Sequence, residues 1–231
     1  MLDRAKTGLA LASLGCLLVV TASGTVGAQT QIPVKPKGEY AQIDTRLTNQ
    51  TIQVLAQGTT EEKRQAIESI KASPDRYAPP VFYLLSQVLF EDGKQEEGAF
   101  WFYAGQLRAR FDAAICTDIS AREAVIVMNQ QFGPPIDQFM FQRPSTLEKL
   151  VPQVVDWDRK TPYSYDHRWI NLQGMDAMIS GLDAASSSEK PAALSLPKEQ
   201  WSEIAEKNRA AYLAQFREAI VQIKQQRPVG Q

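Results

Sequence analysis

Between Pro79 and Phe111 the apolar residues return at spacings of three and four, the period of a helix with one buried face. Phe82, Leu85 and Leu89 form one stripe, and Gly98, Phe102 and Gly105 form another. The Glu91-Asp92-Gly93-Lys94 segment between them carries a turn glycine, so the pattern predicts two helices folded back on each other. A weaker stripe of Leu47, Ile52 and Leu55 predicts a helix from Asp44 to Ala56. Thr59-Thr60-Glu61-Glu62 fits a capping box. The helix behind it, with Ala66, Ile67 and Ile70, must stop near Ser73 because Pro74 follows.

Further along, Ser120-Ala121-Arg122-Glu123 reads as a second capping box, opening a helix with Val125, Val127 and Met128 that ends at Gly133 before Pro134-Pro135. A short turn from Ile136 to Gln142 then presents Phe139, Met140 and Phe141. Ser145-Thr146-Leu147-Glu148 starts the next helix, which carries Leu150, Val154, Val155 and Trp157 and holds Pro152 as a kink. From Lys198 to Gln226 a last helix places Trp201, Ile204, Ala205, Tyr212, Phe216, Ile220 and Ile223 on one stripe, strong enough to dock on the domain. The loop before it leaves a partner-binding helix as the alternative. No run alternates over four or more positions as a strand requires. The expected fold is all-α, a compact helical domain of antiparallel helix hairpins with a long C-terminal helix.

In order and spacing, Phe82, Leu85, Ser86 and Leu89 followed by Gly98, Phe102 and Gly105 resemble one tetratricopeptide or Sel1-like hairpin. The resemblance covers residues 79–111 and implies close helix-on-helix packing. No second copy follows at a period of about 34, and a solenoid needs about three, so one hairpin within a helical domain is expected. That hairpin is rich in aromatics: Tyr83, Phe90, Phe100, Trp101, Phe102, Tyr103 and Phe111. Either its second helix is buried on nearly all sides or part of it is a recognition surface. In the second case Trp101 and Tyr103, with Arg108 and Arg110 beyond them, are contact residues of the type that anchors interfaces. In the first, the arginines pair with acids such as Asp112 or Asp118.

The N-terminus supplies an address. Arg4 and Lys6 precede an apolar run from Leu9 to Val20 and the small triplet Val26-Gly27-Ala28, the layout of a signal peptide cleaved after Ala28. The run is shorter than the roughly 20 residues of a spanning helix, so no integral span is expected in the mature chain. Ser13-Leu14-Gly15-Cys16 faintly resembles a lipobox. Ser13 stands where a leucine is expected, so lipidation of Cys16 is the second choice. The chain is therefore expected in the periplasm or secreted. It divides into the signal peptide (1–28), an extended tether (29–39), a helical domain (40–183), a flexible loop (184–197) and the C-terminal helix (198–226).

The 25 Lys and Arg nearly balance the 26 Asp and Glu. Loss of Arg4, Lys6 and Asp3 with the signal peptide leaves about −2, which argues against nucleic acid as partner. One cysteine, Cys116, then remains, so no internal disulfide is available. Its Ala113-Ala114-Ile115 setting predicts a buried, inert thiol.

Polar chemistry concentrates between Trp157 and Leu172, around the single histidine, His167. His167 with a carboxylate such as Asp166 or Asp158 would suit general base chemistry. No Gly-x-Ser-x-Gly elbow or His-x-x-x-His pair accompanies it, so no catalytic residue, metal or cofactor is assigned. Tyr163, Tyr165, His167 and Trp169 are instead candidate pocket or contact residues. The favoured reading is an exported, non-enzymatic helical binding module for a protein partner in the cell envelope, acting as adaptor, assembly factor or toxin-neutralising immunity protein. A cell-envelope hydrolase using His167 and nearby carboxylates is the alternative.

Overall fold

The computed structural model describes residues 35–181 and 193–226. The expected signal peptide, the start of the expected tether and residues 184–192 of the expected loop lie outside the described residues. The described residues fold as an all-α structure built from α1 (Arg46–Gln57), α2 (Thr60–Ala72), α3 (Pro79–Glu91), α4 (Gln95–Ile115), α5 (Glu123–Phe141), α6 (Pro144–Lys160), α7 (Met175–Gly181) and α8 (Trp201–Gln226). Short 3-10 turns join several of them, including Gly38–Gln42, Ile119–Arg122 and His167–Gln173. Among the described residues no helix is long and apolar enough to cross a membrane.

The α3–α4 hairpin is the centre of the molecule, and its geometry follows from three glycines. Gly93 closes the turn at φ +80°, a conformation that costs other residues about 1–2 kcal/mol. A Cβ at Gly98 would stand 2.8 Å from the Ser86 carbonyl oxygen, and one at Gly105 would stand 3.1 Å from Cβ of Phe82. The small residues thus let the two backbones approach. Around them α4 is covered by α3, α5, α6 and α8, so its aromatics turn inward on nearly every side. Phe82 and Phe102 are sealed from solvent, each contributing about 1.5–3 kcal/mol relative to exposure. Trp101 meets Phe82, Phe100 and Trp157 at ring-centre distances of 5.3, 5.5 and 5.5 Å.

The capping box at Thr59 and Glu62 forms as expected, with Thr59 N–H donating to Glu62 at 2.7 Å, and α2 ends at Ala72. Two expectations fail. The helix expected to end at Gly133 runs through Pro134 and Pro135 to Phe141, and the expected turn from Ile136 is helical. Packing overrides the missing proline donors here. Tyr83 donates to Asn129 at 2.7 Å before the prolines and Tyr103 to Asp137 at 3.2 Å after them, so α5 is pinned to the hairpin on both sides. The Ser120–Glu123 capping box is absent. Asp118 caps the Ile119–Arg122 turn instead, accepting from Ser120 N–H at 2.9 Å.

The C-terminal helix α8 lies against α4 and α6, and Tyr212 is buried there with its hydroxyl donating to Gln106 at 2.7 Å. The end of the expected loop is fixed as well. Residues 193–197 pass beside Ile115–Thr117, with a bend at Leu194 and Ser195 bridged to Cys116 in antiparallel sense. Cys116 is buried as expected.

Candidate functional site

The residues that gather at one end of α4 come from three separate stretches of chain: α4, the end of α6 with the segment that follows it, and α8. α4 supplies Arg108, Phe111 and Asp112, and the end of α6 supplies Asp158. The 161–169 segment supplies Tyr163, Tyr165, His167 and Trp169, while α8 supplies Trp201 and Arg209. Arg108 and Asp112 are one helical turn apart and face the same way, which is how one helix anchors two buried ionic centres.

The first centre is built on Asp158, whose side chain is 1 % exposed. Its oxygens accept from Arg108 Nε at 3.0 Å, from Arg209 Nε at 2.8 Å and from the Tyr163 hydroxyl at 2.8 Å. Arg108 also donates to the Thr161 and Pro162 carbonyls at 2.6 and 3.2 Å, and its guanidinium lies between the Trp157 and Tyr163 rings. Burial alone would make Arg209 give up its proton more readily, but Asp158 and Glu206 outweigh it and hold its pKa above the usual value. Both oxygens of Asp158 are engaged by these three donors, so its part here is to hold Arg108, Arg209 and Tyr163 together.

The second centre is Asp112, which is fully buried. His167 Nδ1 lies 2.6 Å from Asp112 Oδ1, and Oδ2 accepts from Trp169 Nε1 at 2.7 Å and from the Tyr165 hydroxyl at 3.0 Å. A carboxylate in this position makes Nδ1 the protonated nitrogen of the ring. Burial, and then the adjacent carboxylates, raise the pKa of the Tyr163 and Tyr165 phenols well above 10.0, so both stay neutral donors. His167 sits within an aromatic frame, its ring centre 4.8 Å from Tyr165, 5.0 Å from Trp201, 5.4 Å from Tyr163 and 5.6 Å from Phe111.

Two clefts open on either side of this frame. One of about 360 Å³ is lined by Phe111, Arg159, Tyr163, His167, Trp201 and Arg209 among others. The other, about 700 Å³, is lined by Tyr163, Tyr165, His167, Trp201, Lys198 and the 193–197 strap. Tyr163, His167 and Trp201 line both, so these three side chains form the ridge of a grooved surface with a cleft on each side.

Of the residues singled out in the sequence, Tyr163, Tyr165 and His167 come together in the groove. Trp169 stands behind it, 3 % exposed, holding Asp112. Trp101, Tyr103 and Arg108 are buried in the core, away from solvent. Arg110 donates to Gln215 at 2.8 Å and lies over the Tyr212 ring, so it serves the α4–α8 contact. Asp166, the neighbour considered as His167's orienting acid, is taken by Arg168 at 2.8 Å and by the Asp44 N–H at 3.1 Å. Burial pushes its pKa up, but these donors outweigh it and lower the value overall. Asp112, Trp201 and Arg209 were not singled out as site residues. The α8 stripe included Trp201, and the Asp112–His167 pairing has no local sequence signal.

Among the described residues no group of three or more His, Cys, Asp or Glu side chains is placed to hold a metal. No protein-family model, curated protein or solved structure matches the chain. The likeness of the α3–α4 hairpin to a tetratricopeptide unit therefore rests on its own residues.

Proposed function

We propose that this chain is an exported, non-enzymatic helical binding module for a protein of the cell envelope, and that the groove centred on Tyr163, His167 and Trp201 is its contact surface. The observation that carries this reading is the way those side chains are held. Tyr163 and His167 are tied from behind to the buried anions Asp158 and Asp112, so the aromatic frame is fixed before any partner arrives. Preorganised aromatics beside basic side chains are the usual anchors of protein recognition. Adaptor, assembly-factor and immunity roles all use such a surface, and the identity of the captured partner separates them. The test is capture from a cell-envelope extract by the wild-type protein and by Trp201→Ala. A stoichiometric partner lost on substitution supports the reading, and equal recovery with both argues against this groove.

One observation favours a second reading, a cell-envelope hydrolase with His167 as general base. The 2.6 Å contact to a fully buried Asp112 orients the imidazole as such chemistry requires. Turnover of envelope material that disappears in His167→Gln would establish it.

A further inference from the structure

We propose that residues 193–197 form a docking edge for an extended peptide segment of the partner, one carrying an acidic side chain; this rests on the binding reading of the same groove. Ser195 faces Cys116 in an isolated antiparallel bridge. The hydrogen bonds flanking it run from Thr117 N–H to the Leu194 carbonyl at 3.2 Å and from Leu196 N–H to the Ile115 carbonyl at 2.8 Å. Both belong to residues next to the bridged pair, so Ser195 and Cys116 form a non-hydrogen-bonded pair of the ladder. In that register the N–H and C=O of Ser195 itself point away from Cys116, toward the other edge.

The remaining carbonyls of the strap are engaged by this protein. Leu194 also accepts from Asn171 Nδ2 at 2.7 Å, Ala193 from Thr117 Oγ1 at 2.7 Å and Leu196 from Trp201 Nε1 at 2.8 Å. Ser195 N–H and C=O have no hydrogen-bond partner among the described residues. Ser195 is half-buried, and all five residues of the strap line the cleft of about 700 Å³ together with Tyr165 and His167. An unpaired donor and acceptor on one bridge residue fit the backbone of a second, extended chain, whose alternate side chains would then meet the aromatic wall.

Charge selects among such chains. Arg168 is held by Asp166, with Glu39 nearby. Lys198, just past the strap, lies 5.8 Å from the Trp201 ring and has no acidic partner among the described residues. An Asp or Glu side chain on the docked peptide complements it.

The test uses the purified protein and a phage-displayed library of random peptides, followed by synthetic versions of the selected binders. N-methylation scanned along the peptide should weaken binding roughly fivefold or more at one backbone position and little at its neighbours, because one N–H donates to the Ser195 carbonyl. Ser195→Pro should weaken binding to a similar extent, and since Ser195 N–H makes no bond among the described residues the change removes none of theirs. Replacing the peptide's acid by its amide should weaken binding to the wild type, and not to Lys198→Ala. Failure to select any peptide, or binders indifferent to N-methylation and to Ser195→Pro, would overturn the proposal. If an envelope partner is captured in a Trp201-dependent manner but is not displaced by the peptides, the extended-edge proposal fails while the binding reading stands. With no partner and no peptide, both fail.

Discussion

Asp112 and His167 lie 55 positions apart in the chain and 2.6 Å apart in space. The carboxylate is fully buried and holds Tyr165 and Trp169 as well, so one anion fixes three side chains of the 165–169 segment. Asp112→Asn replaces an acceptor by a donor among three donors. It should cost about 1–3 kcal/mol in urea unfolding, the range for leaving buried donors unsatisfied. Partner affinity should fall with it, since the groove loses its backing.

Asp158→Asn should be more damaging. It leaves Arg108, whose side chain is fully buried, and Arg209, 8 % exposed, without their shared anion. Breaking a buried pair in this way costs about 3–5 kcal/mol. A double-mutant cycle with Arg108→Met measures the coupling, and additive effects would mean the pair contributes little beyond packing.

The hairpin makes a graded prediction. At Gly98 a new Cβ meets backbone atoms, at 2.8 and 3.0 Å, whereas at Gly105 its nearest neighbour is a side-chain Cβ at 3.1 Å. Gly98→Ala should therefore destabilise by about 1–3 kcal/mol, and Gly105→Ala by less. Equilibrium unfolding of both variants gives the order directly.

Cys116 links stability to pH. Burial pushes its thiol from 9.0 to about 11, with the Asp118 backbone hydrogen bond acting the other way. The folded thiol thus keeps its proton where the unfolded thiol has lost it. The stability it contributes is whole below pH 9 and is lost as pH rises from there to about 11. Cys116→Ser should flatten that segment of the stability–pH curve. In the wild type, labelling by a thiol reagent at pH 8 should proceed at the rate of unfolding.

How much of this was legible in the sequence depended on the range of the interactions. The all-α class, the Thr59 capping box, the Gly93 turn and the stop at Pro74 were readable because each is fixed within a few residues. The same local reading failed at Pro134-Pro135, where Tyr83 and Tyr103 reach α5 from the hairpin and hold it helical. It also placed Trp101 and Tyr103 among candidate contact residues, while helices distant in sequence bury both. The 161–169 segment was readable as chemically rich. What turns it into a groove was not, because Asp112, Arg209 and Trp201 approach it from α4 and α8.

Whether the groove binds is decided by the affinity of the captured envelope partner for the wild type, Trp201→Ala and Trp101→Phe, each first shown to be folded. Trp201 frames the groove, while Trp101 packs in the core with Phe82 and Trp157. Trp201→Ala is expected to weaken binding tenfold or more, about the effect of losing one interface anchor, while Trp101→Phe lowers stability and leaves affinity within about twofold. Unchanged affinity in folded Trp201→Ala would mean that this groove is not the contact surface.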